Sequence, residues 1–252
     1  MSDAIKAKEE KKPSEFREMI IVIIEALVIA FVFRSFFYQP FSIPTASLHP
    51  SMMIGDYFVA SKFTWGYGRY SFSPVEVPIQ GRIFGREPNR GDIAVFRPVP
   101  QKDDYVKRII GLPGDTIQMK QGRLYINGVM VEREFIERST DTDSFGTTLP
   151  VLVYEEKLPN GVAHLIHEIS DDMRMDNTSE YLVPEGHYFM MGDNRDRSQD
   201  SRFLSAVGYV PASNLIGKAE ARFFSVEDNI PPWQVWQWPA KLRLDRMFQS
   251  VY

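Results

Sequence analysis

The stretch Met19–Phe33, MIIVIIEALVIAFVF, decides how this 252-residue chain is organised, because it is apolar at every position except Glu25. Three aromatic residues beyond Arg34 extend it to about 20 residues, the length of one helical bilayer crossing: Phe36, Phe37 and Tyr38. Five basic residues precede it: Lys6, Lys8, Lys11, Lys12 and Arg17. Since Lys and Arg stay on the cytoplasmic side, we predict a cytoplasmic tail (1–18), a transmembrane anchor (19–38) and an exported domain (40–252).

Two other interpretations of this segment remain open. A cleaved signal peptide would be shorter, and no pair of small residues marks a cleavage site near Phe33. A buried core helix would accommodate Glu25 and Arg34, which weaken a membrane span. The flanking basic residues and the break at Pro40 favour the uncleaved anchor.

The composition excludes several classes of protein. Lys plus Arg number 29 and Asp plus Glu 33, a net charge of −4, so no basic excess indicates a nucleic-acid partner. The chain has no cysteine, which excludes disulfide scaffolds, cysteine zinc sites, thiol nucleophiles and iron–sulfur clusters. The apolar share of 44% is that of an ordinary globular protein with one anchor.

Beyond Pro40 the sequence is typical of a β protein, with short apolar runs separated by Gly, Pro and Asp. Ile126-Asn127-Gly128-Val129 predicts a tight hairpin. The polar region 133–180 has the composition of an elaborated subdomain. We therefore predict a mainly β fold: an antiparallel β-sheet core (40–116 and 185–252) with a smaller inserted β subdomain (117–184). The predicted strands are Tyr57–Ser61, Asp92–Phe96, Tyr105–Ile110, Thr116–Met119, Arg123–Ile126, Val151–Tyr154, Ala163–Ile169 and His187–Met191.

Several common catalytic motifs are absent, namely the Gly-x-Ser-x-Gly elbow, the phosphate-binding loop and His-Glu-x-x-His. His164 and His167 are three positions apart, and in a strand they would point to opposite faces, so we predict no metal site. No cofactor is predicted either. Spacing alone leaves a Ser-His-Asp triad open, because triad residues come from anywhere in a chain.

Three stretches combine hydroxyl, basic and acidic residues with stiff backbone. They are FSIPTASLHPSMMIGD (41–56), DYVKRIIGLPGD (104–115) and MGDNRDRSQDSR (191–202). In the second, Lys107 and Arg108 are adjacent in a strand, so one of them should point inward. Taken alone, the third would be a solvated turn.

In these stretches the sequence resembles the bacterial type I signal peptidases, which are membrane-anchored serine peptidases with a Ser/Lys dyad. The resemblance also covers the preceding anchor, the strand RGDIAVF (90–96) and the tail WPAKLRL (238–244), and it spans most of the chain except roughly 133–180. It implies a serine endopeptidase that removes signal peptides from exported preproteins. The implied location is the bacterial cytoplasmic (inner) membrane, with the N-terminus in the cytoplasm and the catalytic domain on the outer, periplasmic side.

Matched by position, the resemblance assigns the nucleophile to Ser47 and the general base to Lys107. It implies an oxyanion hole made by the Ser47 amide and the Thr45 hydroxyl, and a second serine, Ser198, that bonds the lysine. The implied site-supporting residues are Asp193, Asp200 and Arg202. The implied substrate-binding residues are Phe41, Ile43, Pro44, Tyr105 and Val106.

The chain departs from the family pattern at two points. It has Ser47-Leu48-His49-Pro50 where the family usually has Ser-Met-x-Pro, and Thr45-Ala46 where the family usually has Ser-Gly. Leucine preserves an apolar wall in place of methionine. Threonine keeps the hydroxyl but restricts its rotamer.

The chemistry is consistent with these assignments. A serine hydroxyl needs a base, and a lysine serves only when its neutral amine is populated. Burial among Val106, Ile109 and Ile110 would lower the lysine pKa. Arginine could not replace it.

Two other functions compete with the peptidase. A soluble, self-cleaving repressor with a related Ser/Lys site would lack the anchor. A catalytically silent, membrane-tethered module that binds exported chains would lack a reactive serine. The expected partners are preprotein signal peptides and a phospholipid membrane, with no nucleic acid and no metal.

Overall fold

The first element of the fold is a long apolar helix. The computed structural model describes residues 15–72, 75–227, 230 and 234–251. Helix α1, Glu15–Phe36, has 22 residues and a mean hydropathy of 2.4, so it is long and apolar enough to cross a membrane. Most of the predicted cytoplasmic tail lies outside the described residues. The helix ends two residues before the predicted limit, because Tyr38 already begins a strand that contains Pro40, which cannot continue a helix.

The rest of the chain is mainly β, as predicted, with one short additional helix, α2 (Trp238–Lys241), among the described residues. The strands are β1 Tyr38–Ser42, β2 Asp56–Ser61, β3 Ile93–Phe96, β4 Tyr105–Gly111, β5 Thr116–Lys120, β6 Arg123–Ile126, β7 Val129–Met130, β8 Glu132–Thr142, β9 Thr148–Lys157, β10 Ala163–Glu168, β11 Tyr181–Leu182, β12 His187–Met191, β13 Val210–Pro211, β14 Leu215–Ser225 and β15 Gln249–Ser250. All eight predicted strands have a counterpart in this set.

The strands form three antiparallel sheets in the described part of the chain. The main sheet has the order β1-β2-β14-β3-β4-β12-β13, with β15 paired to β14. The second sheet contains β8, β9 and β10, and the third contains β5, β6, β7 and β11. Strands from both ends of the chain therefore meet in the main sheet, which brings the three unusual stretches of sequence together.

The predicted hairpin at Asn127-Gly128 is present between β6 and β7. Both turn residues have positive φ, 54° and 77°, as a type I′ turn requires. Glycine adopts this backbone without cost, and asparagine tolerates it better than other residues.

Two long strands have no counterpart in the sequence prediction. Strand β14 pairs with both β2 and β3, and its register shifts at three places. Each bulge exchanges the two faces of a strand, so the alternation of apolar and polar residues is lost. Strand β8 is mostly exposed and polar, and its pairing with β9 holds it in place.

Candidate active site

Ser47 lies in a single turn of 3-10 helix, Ala46–Leu48, between β1 and β2. The side chains of Leu48 and Met52, 1% and 0% exposed, pack into the hydrophobic core shared with Phe58. These two anchors fix the turn, so the Ser47 side chain is held at one place although it belongs to a loop. Ser47 itself is 9% exposed.

Lys107 is the nearest base to this serine. It lies on β4 opposite Ala94 of β3, and its Nζ donates a hydrogen bond to Ser47 Oγ. Burial lowers the pKa of Lys107 from 10.5 to about 8, with a smaller contribution from Arg202. The carboxylates of Asp200 and Asp193 oppose this shift. The amine is therefore neutral often enough near pH 8 to accept the serine proton.

The expectation that only one of Lys107 and Arg108 points inward is wrong. The two side chains do take opposite faces of β4, but both are buried, 4% and 2% exposed. The second face is covered by the loop after β12, where Asp193 accepts two hydrogen bonds from Arg108, at 2.9 and 2.7 Å. The alternation of side chains along β4 correctly predicts that Lys107 and Arg108 point to opposite faces. It does not show that other parts of the protein cover both of those faces.

The loop 192–202 is not the solvated turn that its charges would suggest in isolation. Arg202 binds the two oxygens of Asp200 through Nε and Nη2, both at 2.9 Å, and both residues are buried. Burial would raise the pKa of Asp200, but the Arg202 charge holds it below its usual value. Asp200 Oδ2 also accepts the Gly192 amide at 3.0 Å, which closes the loop on itself.

Gly192 is required where the loop meets the serine turn. A Cβ at this position would lie 2.2 Å from Ser198 Oγ and 2.4 Å from the Ser47 carbonyl oxygen. The glycine therefore brings Ser198 and Ser47 close together. Ser198 is 5% exposed, and its hydroxyl makes no hydrogen bond to Lys107, so the bond to the lysine that the resemblance implies is absent from the structure.

Thr45 precedes the turn and is exposed. Its Oγ1 lies 3.3 Å from Ser47 Oγ, so the hydroxyl faces the space in front of the serine. The amide of Ser47 lies at the N-terminal end of the turn, where amides have no partner within the helix.

Ser47 and Lys107 line a cleft of about 460 Å³. All five residues predicted to bind substrate line it: Phe41, Ile43, Pro44, Tyr105 and Val106. In the described part of the chain, β12 pairs with β4 only from Arg108 onward, so the Tyr105–Lys107 part of β4 has an open edge along the cleft.

Two residues that were not predicted from the sequence, Asn194 and Asp141, stabilise the turn Ala46–Leu48 through hydrogen bonds. The backbone N–H of Asn194 donates a hydrogen bond to the Ser47 carbonyl oxygen at 3.2 Å. Its side-chain Nδ2 donates another to the Ala46 carbonyl oxygen at 3.0 Å. Asp141, at the end of β8, accepts hydrogen bonds from the Asn194 side chain at 2.9 Å and from His49 Nδ1 at 2.5 Å. His49 Nε2 accepts the Ile54 amide, so Nδ1 carries the proton.

Asp141 could not be found by sequence reasoning because it is 92 positions from His49 in a polar hairpin. Asn194 lies inside the stretch 191–202, so its place in that motif already marked it as a candidate. His164 and His167 face different carboxylates: His164 Nε2 lies 3.8 Å from Asp193, and His167 Nδ1 lies 3.6 Å from Asp141.

A β domain with a hydrogen-bonded serine–lysine pair in a cleft has the arrangement of a serine peptidase. The model of the family described as "Signal peptidase, peptidase S26" matches residues 16–224. The chain belongs to this family, whose members cleave signal peptides from preproteins. Membership in this family favours the peptidase over the repressor and the silent binding module.

Relatives from several bacteria resemble the chain over nearly its whole length. Signal peptidase I of Rickettsia typhi (strain ATCC VR-144 / Wilmington) is 39% identical over 94% of this chain and 93% of its own. Signal peptidase I of Rickettsia akari (strain Hartford) is 37% identical over 90% of each chain. A crystal structure of a signal peptidase I from Enterococcus faecalis V583 is 28% identical, covers 53% of this chain and 97% of its own, and has a TM-score of 0.32.

Proposed function

We propose that Ser47 is the nucleophile and Lys107 the general base of signal-peptide cleavage in this protein. The observation that carries the proposal is the hydrogen bond from Lys107 Nζ to Ser47 Oγ, between two buried residues that line the cleft. A lysine that is buried and partly neutral near pH 8 meets the requirement for a base, and its position beside the hydroxyl meets the requirement for geometry.

The reaction has two stages. Neutral Lys107 takes the Ser47 proton while Oγ bonds to the scissile carbonyl carbon, and the resulting ammonium then gives that proton to the departing amine as the C–N bond breaks. The signal peptide is left as an ester on Ser47, and the mature protein leaves with a free amino group. Lys107 then deprotonates a water molecule, which attacks the ester and restores the serine.

The negative oxygen of the tetrahedral intermediate needs hydrogen-bond donors. We propose the Ser47 amide and the Thr45 hydroxyl for this role. The 3.3 Å distance between Thr45 Oγ1 and Ser47 Oγ places the hydroxyl beside the reacting atom, and a rotation of the threonine side chain aims it. Its exposure in the free protein leaves it open to substrate.

We propose that the preprotein binds as an extended strand. The open edge of β4 at Tyr105 and Val106 can pair with a peptide backbone, as in other complexes that add a strand to a sheet. Phe41, Ile43 and Pro44 form the apolar part of the facing wall. The family resemblance implies small residues at substrate positions −1 and −3.

The remaining site residues act through the catalytic pair. Asp193 and Arg108 fix one face of β4, and Asp200 with Arg202 closes the loop that holds Ser198. The Ser198 hydroxyl makes no hydrogen bond to Lys107 in the free protein. We propose that it turns toward the Lys107 amine when substrate binds and orients it without adding a negative charge, which would hold the proton on the lysine.

We propose that helix α1 anchors the protein in the bacterial cytoplasmic membrane, with the N-terminus in the cytoplasm and the catalytic domain on the outer side. The basic residues that precede the span support this orientation. We also propose residues 117–184 as an inserted subdomain, because the second and third sheets are formed almost entirely within this range.

A double-mutant cycle tests the catalytic pair. Preprotein cleavage is measured for Ser47→Ala, Lys107→Met, the double variant and Ser205→Ala, an exposed serine that serves as the matched control. Each single change in the pair should remove nearly all activity, and the double variant should be no worse, because the two residues act as one unit. Lys107→Arg should be equally inactive. Independent, additive losses, or an active Lys107→Arg variant, would contradict the proposal.

A further inference from the structure

Three carboxylates from different segments of the chain converge at a place that the cleavage reaction does not use. They belong to Glu168 at the end of β10, Asp176 in the 169–180 loop and Asp196 in the 3-10 turn Arg195–Arg197. One oxygen from each lies within 4.8 Å of the other two. Asp196 is two positions before Ser198.

The buried oxygens of this cluster lack partners. Glu168 and Asp176 are both 0% exposed. Neither carboxylate oxygen of Glu168, nor Oδ1 of Asp176, makes a hydrogen bond with the described residues. The second oxygens of Asp176 and Asp196 are held by backbone amides, Met173 at 2.5 Å and Ile169 at 2.6 Å. The cluster is thus positioned by the backbone, while its buried oxygens are left unsatisfied, an arrangement that costs free energy unless something binds there.

Basic side chains near the cluster do not neutralise it. Arg133 Nη1 lies 3.7 Å from Glu168 Oε1, beyond hydrogen-bond distance, and donates instead to the Gly122 carbonyl. Arg195 and Arg202 also lie near Glu168. However, Arg195 binds the buried carboxylate of Glu156, and Arg202 binds that of Asp200. Burial raises the pKa of Glu168 well above its usual value and that of Asp176 to about 6, in both cases with a further contribution from the neighbouring Asp196.

We propose that Glu168, Asp176 and Asp196 bind a calcium ion. Calcium takes oxygen ligands at about 2.3–2.6 Å, so two of its ligands can be up to about 5 Å apart, and the three oxygens already satisfy that limit. Three carboxylates from separate segments suit the flexible coordination of calcium better than the strict octahedron of magnesium, which usually takes one or two carboxylates.

A bound cation would reinforce the junction of three segments, which the Ile169 and Ser170 amides already join at Asp196. It would fasten β10 and the 169–180 loop to the turn that precedes Ser198. The predicted role is therefore structural support of the loop beside the catalytic pair. The expectation that the protein binds no metal considered only the histidines, and this proposal departs from it.

The test uses the full-length protein in detergent, stripped with a chelator, and calcium chloride as the probe. Thermal unfolding and calorimetric titration are measured for the wild type, Glu168→Gln, Asp196→Asn and the matched control Asp172→Asn, an exposed acid of the same loop. At a calcium concentration one hundred times Kd, the midpoint of unfolding of the wild type should rise by about 5 °C or more. Asp172→Asn should rise equally.

The two cluster variants should lose the calcium response, and Glu168→Gln should be at least as stable as the wild type without calcium, because glutamine fills the same space without an ionisable group. If the carboxylates share a proton instead, the wild type will show neither heat of binding nor a shift with calcium, and the proposal fails. A response that persists in both cluster variants, or that disappears in Asp172→Asn, would also overturn it. An equal shift with magnesium would overturn the choice of calcium.

Discussion

The pH dependence of cleavage follows directly from the environment of Lys107. Raising the pH converts its ammonium to the neutral amine, which is the form that can accept the Ser47 proton. Because burial lowers the pKa of Lys107 from 10.5 to about 8, activity should rise with pH and level off above about pH 9. The direction is fixed by the chemistry, since a general base works only when unprotonated.

The size of the effect can be worked out from that pKa. With a pKa of about 8, roughly 1% of the amine is neutral at pH 6, 10% at pH 7 and half at pH 8. An unburied lysine would be neutral in only about 0.03% of molecules at pH 7, so burial supplies roughly 300 times more base. Between pH 6 and 7 the value of kcat/KM should therefore rise about tenfold.

The assay is kcat/KM for a purified preprotein from pH 6 to 10, because this quantity reports the ionisation of the free enzyme. Lys62→Met is the matched control. Lys62 is also buried with a pKa of about 8, but its Nζ donates to the Ser71 carbonyl. The control should keep the wild-type profile. A flat profile, an apparent pKa above 10, or a profile that moves in the Lys62 variant would refute the reasoning.

Three further variants test other parts of the site. Ser198→Ala should keep its fold and lower turnover by up to about 100-fold without abolishing it, because only the orientation of Lys107 is lost; unchanged turnover would refute that role. Gly192→Ala should lower cleavage by about 100-fold, because its Cβ would overlap Ser198 Oγ and the Ser47 carbonyl, and wild-type rates would show that the contact is unimportant. Asp141→Asn should reduce the free energy of unfolding by about 1–3 kcal/mol in a denaturant titration and lower turnover, whereas equal stability and turnover would show that it does not support the turn.

The sequence was sufficient to predict the long apolar helix and eight of the fifteen described strands. Apolar runs ending at Gly, Pro or Asp mark strands whose alternation is regular, such as β4 and β12. Strand β14 was not predicted because its bulges break the alternation of apolar and polar residues. Its pairing with both β2 and β3 also leaves no pattern in the local sequence. The end of α1 was misplaced because Tyr38 is as apolar as the helix but precedes a proline.

The site was predictable where its residues lie in short motifs. The five predicted cleft residues and the pairing of Lys107 with Ser47 agree with the geometry. The role of Asp141 could not be predicted from the sequence, because its contact with His49 forms only when β8 packs against the serine turn. The acidic cluster was missed for the same reason, since Glu168 and Asp196 are distant in sequence and neither is unusual alone.

The central claim is that Ser47 carries out the cleavage, and one rate comparison tests it most directly. Wild-type protein and Ser47→Ala, matched for unfolding midpoint, are incubated with the same preprotein, and the new N-terminus of the product is followed over time. We expect the variant to cleave at least about 1,000-fold more slowly, because Ser47 Oγ is the hydroxyl that hydrogen-bonds Lys107 among the described residues. Cleavage at the same bond within tenfold of the wild-type rate would contradict it.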